Sequence, residues 1–487
     1  MPSWLIVFSV TIGYLLVSLA VGLFSGRKAS SSTEGYVAGD RNLGFVVLYF
    51  ILGASIYSAF AFLGGPGWAY SRGAASFYII AYGTVGLLPW YFVGPRIARL
   101  GRQYGYVTQA QLFSDRYDSR TISAILAIIS LVAFVPYLIL QMQGAGYVFS
   151  VVTEGRIPVW GGAAIAYGVV LLYVFKSGVM GVAWTNTFQG ILMLSLAWVL
   201  GLYLPYKLHG GVGPMFEELA EIAPDMLRAP GLDGSGNPWS WGGYSSSVLI
   251  SVLGFSMWPH YFMKIYTARD TRTLKRMIVF YPTFQIFLVP IMFIGFAAVT
   301  TFPGVTPVDT ILPTIVTSMG LPPLAVGLFC AGALAASMSS GDAIVHAAAS
   351  VMVKDFYGVF RRGLNGAQET RLIRLGVIAI GAVAYYFAVF SSYSLVYLLL
   401  LSYGFIAQIF PTLVAMFYWN RSTPAGVISG LLTGCAVVIV WNLVPSLQWY
   451  DIHPGIWGVG AHVVTLVVVS LLTTPMDRAH VEKFVNA

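Results

Sequence analysis

Apolar residues in this chain are gathered into runs of about twenty, and no other feature limits so strongly what the chain can fold into. As helix, such a run crosses about 30 Å of hydrocarbon while bonding all of its own backbone polar groups, as lipid demands. A soluble chain in which 57% of residues are hydrophobic and 9% charged would aggregate, since ordinary domains carry about a quarter charged residues. The expected fold class is therefore an all-α membrane protein.

The first run, Leu5 to Phe24, has no Lys or Arg before it and is too long for the apolar core of a signal peptide, so it reads as a retained span. Cys330 and Cys435 both lie inside apolar runs, which leaves neither a disulfide framework nor a metal cluster available. Thirteen spans are expected, at 4–25, 44–70, 75–98, 121–149, 157–176, 180–205, 244–266, 277–301, 321–351, 372–391, 394–418, 424–444 and 456–474. With the N-terminus outside, twenty-two of the Lys and Arg residues fall on one side. Arg72, Arg156, Lys207 and Arg228 alone fall on the other. A bias of that size is the positive-inside pattern of a correctly threaded cell-membrane protein with a cytoplasmic C-terminus. The net charge of +8 then orients the chain in the bilayer and calls for no nucleic acid. One transmembrane domain is expected over 1–487, with the long polar loop 207–243 outside and no obligate protein partner evident.

Two spans are interrupted. The second runs Gly53-Ala54-Ser55-Ile56-Tyr57-Ser58 and then meets Gly64-Gly65-Pro66-Gly67, and the seventh carries Ser251, Gly254, Ser256 and Pro259 in its middle. They stand five spans apart, at corresponding places of two consecutive five-helix units. Breaks matched in this way point to a binding site at mid-membrane, where unwound backbone is tolerated only if protein shields it. Gly and Pro are also simply common in membrane helices, and the spacing alone leaves both readings open.

Several passages, in order along these spans, resemble the solute:sodium symporter family, whose members carry proline, glucose, sialic acid, pantothenate and monocarboxylates. They are Ala54 to Ser58, Ala183-Trp184-Thr185-Asn186-Thr187-Phe188-Gln189, Trp258-Pro259-His260 followed by Tyr266-Thr267-Ala268-Arg269-Asp270, Ala335-Ala336-Ser337-Met338-Ser339-Ser340, and Ser402 to Pro411. The resemblance runs from about residue 5 to 475 and implies a LeuT-type core of five plus five inverted helices with two discontinuous helices. On that plan 4–25 is an extra N-terminal helix, 44–205 and 244–418 are the two repeats, and 424–474 holds two C-terminal helices.

A dehydrated sodium ion wants several oxygens, from carbonyls freed by a broken helix and from hydroxyls. Ser339 and Ser340 follow Ala336 by three and four residues, so its carbonyl and the two hydroxyls share one helical face. Similarity to the family adds Ala54 and Tyr57 as carbonyl donors opposite them. Small residues at this spacing can also serve merely to pack helices closely. Where many family members carry Asp in the sixth span, this chain has Asn186. Asp342 is the one acidic residue within an expected span, three after Ser339, and an intramembrane carboxylate is a functional candidate by default. Asp342 is expected to supply the negative charge that Asn186 lacks. His346, four residues further, could relay a proton with Asp342 or hold it ionised by a hydrogen bond, which makes proton coupling the alternative to sodium.

The resemblance places a small solute beside the cation, between the broken helices. Lining candidates are Ser58, Phe60, Gln141, Trp258, His260 and Tyr403, aromatic walls with a few polar groups. No intramembrane Lys or Arg is expected to pair a formal charge. The run Pro136-Tyr137-Leu138-Ile139-Leu140-Gln141 looks most like the monocarboxylate and pantothenate branches, so a small organic acid is the expected solute. An enzyme has only Asp342 and His346 to work with inside the bilayer, a sensor would be expected to add an output domain, and a channel fits broken matched helices less well than alternating access.

Overall fold

The structure, a computed structural model, describes residues 3–25, 32–361, 363–390, 393–447 and 451–486. Arg27, Lys28 and Arg362, counted above among the basic residues of one side, lie outside the described residues. The described residues are helical, with only two isolated bridges, Leu43 to Ala268 and Leu232 to Pro238. Ten helical stretches are long and apolar enough to cross a membrane, and two shorter apolar helices accompany them. The difference from thirteen has a physical origin, because broken spans yield pieces too short to qualify and neighbouring spans join end to end.

In chain order the elements that build the site are α1 (Ser3–Ser25), α2 (Phe45–Ile56), α3 (Gly65–Arg72), α4 (Leu88–Tyr104), α5 (Arg120–Val152), α6 (Val159–His209), α7 (Trp241–Phe255), α8 (Pro259–Thr267), α9 (Leu288–Thr301), α10 (Pro323–Val351), α11 (Gly366–Phe390) and α12 (Leu395–Ile406). Two peripheral helices follow, α13 (Pro424–Leu443) and α14 (Pro454–Leu472).

At 51 residues, α6 would run to about 75 Å if straight, far beyond the bilayer core. It turns at Gly178, whose φ of 54° and ψ of −144° suit only glycine; a Cβ there would stand 2.5 Å from the Tyr36 carbonyl oxygen. That kink separates the two spans expected at 157–176 and 180–205. The most enclosed stretch is α10 with its continuation, 83% buried over its apolar window against 28% for α14, so the first is central and the second faces outward. α5, α6 and α1 pack around α10, and α2 and α8 close the remaining side.

Candidate cation and solute site

Both expected breaks are present. α2 stops at Ile56, and Tyr57 leaves the helical region with φ −79° and ψ 75°. The Ser58 amide turns back to Ile56 O, and Ala61 N, which an unbroken helix would direct to Tyr57 O, bonds to Ser58 O at 2.9 Å. A π-turn over Phe60–Gly64 leads into α3, where Pro66, having no N–H, is accommodated in the first turn. α7 likewise ends at Phe255, and α8 starts at Pro259 after Trp258 adopts ψ 121°.

Oxygens gather where α2 ends against α10. Ser339 Oγ donates to Ala54 O at 2.9 Å and lies 3.3 Å from Ala336 O, while Ser340 Oγ donates to Ser55 O at 2.6 Å. Asn186 of α6 donates from Nδ2 to Ser55 Oγ and to Ser339 O, each at 2.9 Å. A backbone carbonyl can only accept, so the amide nitrogen must be the atom facing it. Asn186 is thus a neutral donor to this cluster, tying α2 to α10. The expected Tyr57 carbonyl belongs to the same break, and the Tyr57 hydroxyl points away toward Phe287 O.

One turn along α10, Asp342 is fully buried. Its Oδ2 accepts from Tyr173 at 2.7 Å and from Thr185 at 3.2 Å, both on α6, and its Oδ1 has no partner. Thr185 adjoins Asn186, so carboxylate and amide occupy neighbouring positions on one interface. Gly341 lets α6 approach there, because a Cβ would stand 2.1 Å from the Tyr167 hydroxyl. His346 does not hold Asp342. Its Nε2 donates to Tyr36 O at 3.0 Å and its ring lies against the Tyr36 ring, 5.4 Å between centroids. Four-residue spacing makes the two neighbours on the helix, but the imidazole turns to the Thr33–Ala38 helix, which covers that face.

Of the solute candidates, Trp258, His260 and Tyr403 pack in one aromatic cluster. Trp258 sits 4.8 Å from Tyr137, 5.8 Å from Phe134, 5.5 Å from His260 and 5.8 Å from Tyr403, centroid to centroid. Gln141 Oε1 accepts from Ala59 N at 3.0 Å, anchoring the first break to α5. Ser58 Oγ, Gln141 Nε2, Trp258 Nε1 and both ring nitrogens of His260 are buried without partners. Phe60 is buried at the same break, 2% exposed, and among the described residues no ring contact joins it to this stack. Tyr137 is the residue that sequence reasoning missed. Its hydroxyl meets that of Tyr261 at 3.0 Å and its ring lies 4.8 Å from that of Trp258. Its position four residues before Gln141, on the same face of α5, was the available signal.

Lys264, in the last turn of α8, is 3% exposed. Hydropathy put it at a span end; packing of α8 against α4, α10 and the Thr33–Ala38 helix encloses it.

Residues 36–434 match the sodium:solute symporter family. The chain is 29% identical to the uncharacterized symporter YhjB of Bacillus subtilis (strain 168) over 96% of this chain and 98% of that protein. It is 27% identical to the sodium/pantothenate symporter of Escherichia coli (strain K12) over 91% and 92%. Its fold superimposes on a Na+-coupled sialic acid symporter in a substrate-bound outward-open state with a TM-score of 0.80, at 18% identity and covering 97% and 98% of the two chains. A family match across most of the chain, breaks at the same places as a run of buried oxygens, and a shared fold over nearly its full length lead to one conclusion: this chain belongs to the sodium:solute symporter family.

Proposed function

We propose that this sodium-coupled symporter takes up a small organic acid by alternating access, with the ion held where α2 breaks against α10. In this reading the carbonyls of Ala54, Tyr57 and Ala336 and the hydroxyls of Ser339 and Ser340 are the ion's ligands. The observation that carries it is the Ser339 hydroxyl, which lies 2.9 Å from Ala54 O and 3.3 Å from Ala336 O in a fully buried place. Oxygens from both helices already converge there without any side-chain cation. Asp342 adds the negative charge that Asn186 does not provide.

The acid is supported by the chemistry of the solute candidates. Trp258 Nε1 and Gln141 Nε2 can only donate, and His260 and Ser58 can, so the unpartnered groups suit a carboxylate better than an ammonium. The membrane arrangement we propose is thirteen spans, two five-helix inverted repeats over 44–205 and 244–418, N-terminus outside and C-terminus cytoplasmic.

Uptake in proteoliposomes tests the mechanism. Replacing external sodium by choline at fixed pH should abolish accumulation, and Ser339→Ala should raise the sodium concentration needed by about tenfold or more, as for a lost ligand near 1.4 kcal/mol. Undiminished uptake driven by a pH gradient in choline would instead establish the proton. A panel of monocarboxylates, amino acids, sugars and cyclic imides identifies the solute, and the absence of competition by every organic acid ends the carboxylate assignment.

A further inference from the structure

The Lys264 side chain takes no part in the oxygen cluster or the aromatic cluster, yet the residue is 3% exposed. A lysine near a helix end normally runs its stem along apolar surface and delivers its head to water. This side chain is 3% exposed, and among the described residues no carboxylate makes a contact ion pair with it. Across the interface, Asp342 is 0% exposed with Oδ1 free of partners. α8, which carries Lys264, packs directly on α10, which carries Asp342. His260 on α8 and His346 on α10 are the buried histidines on these two helices.

Two opposite charges enclosed at one helix interface and not in contact are each short of a partner. Leaving a buried charge uncompensated is strongly unfavourable, so an arrangement of this kind persists only if each is compensated at some stage of the working cycle. Wherever a shared proton sits, the pair sums to zero. A sodium ion associating with Asp342 therefore adds one net positive charge to the interface, and the Lys264 ammonium opposes it.

We propose that Lys264 is a tethered counter-cation for Asp342 that competes with the coupling sodium ion. It is a positioning residue, acting through Asp342, and the proposal rests on the sodium-coupled reading of the site. α8 is short and begins at the break beside Trp258 and Pro259, so it can shift against α10 as a unit. With α8 close, the ammonium satisfies the free oxygen of Asp342 and lowers sodium affinity; with α8 displaced, the carboxylate is released to the ion. Sodium departure is thereby tied to the position of one half of a broken helix.

The test uses sodium itself as the probe on the full-length protein in detergent. Thermal unfolding is followed while sodium chloride replaces choline chloride at constant ionic strength, and the sodium concentration at half-maximal stabilisation is read. Lys264→Met, and independently Lys264→Gln, should lower that midpoint by about fivefold or more, the ordinary range for coupling between two sites. Lys264→Arg should stay near wild type, and Asp342→Asn should raise the midpoint. In the Asp342→Asn background, Lys264→Met should have no further effect. An unchanged or raised midpoint in both neutral Lys264 variants overturns the proposal, as does an equal shift with and without the Asp342 carboxylate. If wild-type protein shows no sodium-dependent stabilisation at all, the sodium site itself fails, a result distinct from failure of the competition. Merely structural damage does not tighten ion binding, so the direction of the shift separates the two.

Discussion

A carboxylate enclosed among helices is tolerable only when its oxygens are engaged, and at Asp342 the engagement comes from Tyr173 and Thr185. A hydrogen bond to a charged group contributes about 1.5–3 kcal/mol, so Tyr173→Phe should destabilise the protein by about 2 kcal/mol. Thr185→Val should cost less, since its bond is 3.2 Å against 2.7 Å. Thermal unfolding of the purified variants in detergent reads both, and equal effects would mean that Thr185 shares the load evenly. The residues around this carboxylate were unequally legible. Asp342 stands out in the sequence because a charge inside an apolar run is rare and demands a reason. The direction of His346 does not, because helical spacing fixes which residues are neighbours and not which way an imidazole turns. Lys264 was hidden for a different reason: its enclosure comes from other helices, which a hydropathy window along one span does not register.

At the scale of elements, that both spans are interrupted could be read from composition. Pro259 stands at the second break, whereas the first falls at Tyr57, before the helical Gly64-Gly65-Pro66-Gly67. What composition did not reveal is how the short helix after α9 is fastened. There Asp309 is buried outside the spans, its Oδ2 accepting from Leu395 N at the start of α12 at 3.1 Å, its Oδ1 unpartnered. Burial pushes this carboxyl from 3.8 up to about 6, with the Leu395 bond pulling the other way. A raised folded-state value means that the protonated form is favoured by folding. The contribution is therefore complete below the unfolded value and lost as pH rises through about 6. Unfolding temperatures measured between pH 4.5 and 7.5 should fall across that window in wild type and stay flatter in Asp309→Asn. Identical slopes in the two proteins would remove Asp309 as the cause.

For the molecule as a whole, the asymmetric distribution of basic residues makes a claim about direction that can be checked without knowing the solute. In a background with Cys330 and Cys435 replaced, Ser235→Cys in the long loop should react with a membrane-impermeant maleimide on intact cells. Arg478→Cys, on a side chain 90% exposed near the C-terminus, should react only after the cells are permeabilised. The reverse pattern would turn the proposed orientation upside down. That the chain forms many long apolar helices was visible in the sequence, because lipid imposes one length on every crossing. The central place of α10 was not, since a run of apolar residues does not tell a helix wrapped by others from one that faces outward, which packing alone separates.

That difference in placement bears on how such a carrier can diversify. Most of α10 is wrapped by other helices, and it holds Ala336, Ser339, Ser340 and Asp342 within two turns. On the proposed reading, a change of solute falls to the candidate positions Gln141, His260 and Tyr403 on α5, α8 and α12, while a side chain enlarged along the wrapped part of α10 meets a neighbouring helix at once.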